Sequence, residues 1–148
     1  MIKKPYLTAL LGGAAISFLP ALLMNLIVNY FPAMKPEDLQ SVSDFFSEGM
    51  GLVQVIFFAI IVFIIPPIEE FIFRGALWKL FEWKLSPRWT WILISLLFAA
   101  IHMEPLHVIG LLPFSFFVGW LRMETNKLGP SVVAHMANNA TGCLMMML

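Results

Sequence analysis

Glu69, Glu70 and Arg74 stand directly behind an apolar run from Gly51 to Ile68, so three formal charges fall where a bilayer-spanning segment would be ending. Charged side chains in such a setting are costly, and by default they mark a functional site. Glu70 and Arg74 are four residues apart, share a helix face and are expected to form a charge-assisted pair. Glu69 points about 100° away around the helix and is expected to lack that partner. An unpaired carboxylate in a dry setting holds a proton more readily, as a general base near neutral pH must. Of the two acids, Glu69 is the expected base. His102 follows Phe98 by four residues, and His135 and Asn139 are again four apart, each in another apolar segment. An imidazole and an amide on one helix face supply donors that could converge on a reacting oxygen. Helix-to-helix hydrogen bonding is the plainer role for the same groups.

Pro66 and Pro67, just ahead of the acids, admit a bland alternative in which the span ends and a surface helix begins. Such a helix needs a polar stripe. Glu69, Glu70, Arg74, Lys79, Glu82 and Lys84 instead scatter around a wheel of about 100° per residue, with Phe71, Ile72, Phe73, Leu77 and Leu80 between them. The expectation is a kinked or discontinuous helix that stays buried past the prolines.

The elements that must position these residues are all membrane-like. The chain has 148 residues, is 60% hydrophobic and 12% charged, and has a mean hydropathy of +0.87, more apolar than a water-facing surface of this size tolerates. Net charge is zero and the basic residues form no block, which excludes a nucleic-acid partner. The single cysteine, Cys143, excludes an internal disulfide framework. Apolar stretches at 7–31, 51–81, 89–101, 106–121 and 128–148 predict an all-α polytopic transmembrane bundle of about five spans in one domain, 1–148. The first resembles a secretory signal behind Lys3 and Lys4 but is too long for one, and is read as a retained span. Pro32 to Gly49 reads as an outer polar connection.

If five spans alternate, Lys3, Lys4, Lys79, Lys84, Arg88, Arg122 and Lys127 fall on one side, with Lys35, Glu37, Asp38, Asp44, Glu48 and Glu104 opposite. The positive-inside rule then predicts a cytoplasmic N-terminus and an outward C-terminus, and Trp78, Trp83, Trp89, Trp91 and Trp120 are expected to flank the cytoplasmic boundary. Counted from that boundary at 1.5 Å per residue, Glu70 and His102 lie roughly 20 Å inward and Asn139 roughly 15 to 20 Å, in one layer.

Taken in order, Glu69-Glu70-x-x-x-Arg74, Phe98-x-x-x-His102 and His135-x-x-x-Asn139 resemble the motif set of the CPBP family of intramembrane proteases. That family includes the eukaryotic prenyl-protein (CAAX) endopeptidases and many bacterial proteins associated with bacteriocin self-immunity. The likeness covers about residues 66–142. It implies an integral, bacterial plasma-membrane endopeptidase acting on a peptide or protein substrate, with a prenylated C-terminus as one candidate. Glu69 and His102 would activate water, Glu70 and Arg74 would brace the site, and His135 and Asn139 would donate to the oxyanion. Whether a divalent metal such as zinc takes part stays open, with Glu69, His102 and His135 as candidate ligands. Glu104 and His107 are extra polar groups nearby, but no His-Glu-x-x-His pair is present.

Two other functions use the same residues. A noncatalytic membrane immunity or scaffold protein would retain the buried network only to hold its helices. A proton or ion carrier would add Asn25 and Asn29, but the chain shows no inverted duplication.

Overall fold

The computed structural model describes residues 2–30, 44–45, 49–103 and 105–147. The polar connection expected over 32–48, apart from Asp44 and Phe45, lies outside them, as do Glu104 and the side chain of His107. Among the described residues the fold is all helical, a membrane bundle without strands.

The first span is built from α1 (Pro5–Ile16) and α2 (Phe18–Tyr30), which meet at Ser17. Pro20 has no N–H to offer the Ile16 carbonyl, so the ladder weakens where the two helices join. Ser17 Oγ donates to the Ala14 carbonyl at 2.7 Å. The second span, α3 (Leu52–Glu82), is helical throughout and about 45 Å long at 1.5 Å per residue. The irregularity expected at the prolines takes the form of two π-helical stretches, Ile60–Ile64 and Phe71–Leu77, on either side of Pro66–Glu70. α4 (Pro87–Ala100) reaches about 21 Å, short of a full crossing. α5 (Pro105–Thr125) carries Pro113 inside it, and α6 (Gly129–Met147) closes the bundle.

Among the described residues three helical segments are long and apolar enough to cross a bilayer: Pro5–Ile27, Leu52–Glu82 and Val108–Thr125. α4 is apolar but shorter. α6 has the length, while His135, Asn138 and Asn139 lower its hydropathy.

Burial is inverted relative to a water-soluble fold. Ile60, Phe63, Ile64, Ile65, Ile68, Phe71 and Ile72 of α3 are exposed, whereas Glu70, Arg74, Ser95, Ser115, Ser131 and His135 are buried. Apolar side chains outside and hydrogen-bonded polar ones inside are what lipid requires. The core between them holds Phe73, Trp78, Ile94, Phe98, Phe114, Val118, Leu121 and Ala134. α1 lies so close on α6 that a Cβ at Gly13 would collide with the Ala134 backbone, and so close on α5 that one at Gly12 would collide with the Phe117 ring. Small residues at these positions allow the close approach.

The tryptophans expected at the boundary do not all face outward. Trp83 and Trp89 are exposed, but Trp78 is buried and Trp91 Nε1 donates to the Phe116 carbonyl at 2.9 Å. Those two indoles join helices, because each lies on the inward side of its own helix.

Candidate active site

α3 delivers both carboxylates and the guanidinium. Pro66 and Pro67 offer no N–H, and Ile65 N–H reaches back to the Ile60 carbonyl in a π-type bond, so the Ile61 carbonyl loses its helical donor. Asn139 of α6 fills that place, with Nδ2 donating to the Ile61 carbonyl at 3.1 Å. One amide thus ties α6 to the irregular turn just ahead of the acids.

Glu70 and Arg74 are both fully buried, and Arg74 Nη1 donates to Glu70 Oε1 at 3.1 Å. Arg74 Nη2 donates to Ser115 Oγ at 2.8 Å and to the Ser115 carbonyl at 3.0 Å. Its guanidinium also lies 4.4 Å from the centroid of the Phe98 ring, a cation–π contact. Ser115 and Ser95 exchange hydrogen bonds, each hydroxyl donating to the other's carbonyl, at 2.9 and 3.1 Å. These bonds link α3, α4 and α5 through one cation. Sequence reasoning missed Ser95 and Ser115, yet each is a lone hydroxyl in an apolar run, the usual mark of an interhelical bond in lipid.

His135 comes in from α6. Its Nδ1–H donates to Glu70 Oε1 at 2.9 Å, since a carboxylate can only accept, and its Nε2 lies 3.5 Å from Glu69 Oε2. The ring packs against Phe114 and Phe98, with centroids 4.9 and 5.7 Å away. Glu69 is therefore not isolated. It keeps 27% of its side-chain exposure but faces the far nitrogen of the imidazole that braces Glu70. If Glu69 is ionised and His135 neutral, two lone pairs oppose each other there, so a proton or a proton-bearing molecule belongs in that gap.

His102 is placed differently. It is exposed, its Nδ1–H donates to the Phe98 carbonyl at 3.0 Å, and its ring lies 5.3 Å from that of Phe98. Nε2 is then the nitrogen with the free lone pair in the neutral ring. Among the described residues no hydrogen bond or ion pair joins His102 to Glu69. Phe98 touches both histidine rings. Nor do His135 and Asn139 offer donors to one point, because one bonds Glu70 and the other the Ile61 carbonyl.

The same separation bears on metal binding. Among the described residues no group of three or more His, Cys, Asp or Glu stands so as to hold an ion; of the three candidates Glu69 and His135 are paired, while His102 joins neither. Glu70 Oε1 already accepts from Arg74 and His135. Among the described residues no three-residue ligand set forms.

Residues 51–141 match the model of a protein family described as type II CAAX prenyl endopeptidase Rce1-like. The matched region opens just before α3 and ends within α6, so it contains Glu69, Glu70, Arg74, His102, His135 and Asn139. No curated protein and no solved structure matches the chain.

Proposed function

We propose, from the premise that this chain belongs to the type II CAAX prenyl endopeptidase Rce1-like family, that it is an integral-membrane endopeptidase whose base is Glu69. Membership carries the protease class and the membrane setting. What favours the mechanism is the single contact of His135 with both glutamates, 2.9 Å to Glu70 and 3.5 Å to Glu69.

In this reading a water touching Glu69 Oε2 gives up a proton to it as the water oxygen attacks a peptide carbonyl carbon. The carbonyl π electrons move to oxygen, return as the C–N bond breaks, and the proton from Glu69 goes to the departing amine. His135 Nε2 lies close enough to Glu69 to hold or relay that proton. Glu70, fixed by Arg74, keeps the imidazole oriented through Nδ1–H, much as a buried acid orients histidine in hydrolases. Glu70 Oε2 has no hydrogen-bond partner among the described residues, so an acceptor remains for water or a substrate N–H. His102, with Nε2 free, would act on the exposed side, by binding substrate or by joining Glu69 in the substrate complex.

The cationic ends support the expected orientation. Lys3, Lys4, Lys79, Lys84, Arg88 and Lys127 are exposed. Gly129, beside Lys127, is so close to Tyr6 that a Cβ would stand 2.7 Å from the Tyr6 hydroxyl, so the N-terminal lysines and the α5–α6 turn share one end. We read that end as cytoplasmic, in a bacterial plasma membrane, with the C-terminus outward. A prenylated peptide is the substrate class suggested by the family's name.

A second reading, a noncatalytic scaffold or immunity protein, is favoured by Asn139 and Arg74, whose bonds join helices. One experiment separates the two. Purified protein in lipid is incubated with a peptide library in H₂¹⁸O, and products are weighed. The endopeptidase releases fragments with one ¹⁸O at each new carboxyl end; a scaffold releases none.

A further inference from the structure

In each π-helical stretch of α3, or at its edge, a side chain from another helix donates to a backbone carbonyl. At the first, Asn139 serves Ile61. At the second, Trp78 N–H reaches the Phe73 and Gly75 carbonyls and passes over that of Arg74. Arg122 of α5 supplies a donor there, its Nε–H reaching the Arg74 carbonyl at 3.0 Å. Its Nη1 donates to Asn126 at 2.7 Å, and the guanidinium lies 5.4 Å from the Trp78 ring centroid. Counting charges assigns Arg122 to the watery side of the bundle, yet the residue is buried, 7% exposed, and turned inward.

Register is the reason this matters. A π turn inserts one residue into the helical phase and so rotates the downstream part of the helix by roughly 100° relative to the upstream part. Without a donor at the Arg74 carbonyl, the stretch can relax toward regular α-helix, and the direction of Arg74 relative to Trp78 and Phe73 changes. Arg74 holds Glu70, and Glu70 holds His135. We propose that Arg122 is a positioning residue for the glutamate pair, holding the second π-helical stretch of α3 in phase through the backbone carbonyl of Arg74. This rests on the endopeptidase reading for its functional consequence, but its structural part stands apart from it.

The test uses the full chain in lipid with two readouts. Labelling with 1-¹³C-arginine and ¹⁵N-glycine isolates the Arg74–Gly75 peptide, because no other arginine in the chain precedes a glycine. Arg122→Ala is expected to move the Arg74 carbonyl resonance upfield, the sense of a lost hydrogen bond. It is also expected to lower kcat by about 10- to 100-fold with KM little changed, as a misplaced catalytic group does. Arg122→Lys keeps a cation beside Trp78 but has no Nε donor, and is expected to show the same displacement and kcat loss even where Arg122→Ala fails to fold. A wild-type carbonyl resonance in either folded variant, or wild-type kcat in both, overturns the proposal. If the unaltered protein cleaves nothing, the proposed function falls, and the carbonyl resonance alone judges the clamp.

Discussion

His135 Nδ1 and Glu70 Oε1 are 2.9 Å apart, a bond that joins α6 to α3 across 65 positions of sequence. Because Glu70 Oε1 also receives Arg74 Nη1, one carboxylate oxygen fixes both the cation and the imidazole. Glu70 is therefore structural in a way that Glu69, next to it in sequence, is not.

Glu70→Ala is expected to destabilise the protein by about 3 to 5 kcal/mol, because it leaves a buried arginine without its counter-charge. The double variant Glu70→Leu with Arg74→Leu removes both charges and is expected to recover much of that loss while remaining inactive. Thermal unfolding in lipid, read beside cleavage, checks this. A single variant as stable as the wild type contradicts it.

Gly13 controls the site from a helix that carries none of its groups. Gly13→Val would drive a side chain into the Ala134 backbone, one residue before His135. Overpacking of this kind costs about 1 to 3 kcal/mol, and the displaced α6 is expected to take His135 with it and reduce cleavage. Gly142 on the same helix has open space where its Cβ would stand, so Gly142→Ala serves as the unaffected control.

Asn139 separates two roles. As the donor to the Ile61 carbonyl it holds α6 on α3, and Asn139→Ala is expected to lower the unfolding temperature and kcat together, by about 1 to 3 kcal/mol of stability for the orphaned carbonyl. A loss of kcat at unchanged stability would instead mark an amide that faces the substrate.

Much of this was legible from residue types. The helical class follows from apolar runs of spanning length, and Glu70 with Arg74 from their spacing of four on one face. Azimuth was harder. Counting residues inward places His102 and Glu70 at one depth, but depth does not say which way a ring faces, and the Phe98 carbonyl one turn back takes the His102 Nδ1–H. The π stretches were hidden as well, because a wheel of 100° per residue assumes the regular phase that they break. Pro66 and Pro67 signalled trouble in the helix without saying where the freed carbonyl would find a donor. Arg122 was hidden for a related reason: charge-counting sees a cation near a helix end, and its inward turn depends on a carbonyl that only the backbone geometry of α3 exposes.

The central claim is that Glu69 takes the proton from the attacking water. Glu69→Gln keeps the size and polarity of a partly exposed side chain, so the variant is expected to unfold at the wild-type temperature in lipid. Its single-turnover cleavage rate on a peptide that the wild type cuts is expected to fall by about 100- to 10,000-fold, the usual worth of a general base. Cleavage at the wild-type rate by folded Glu69→Gln would contradict the account.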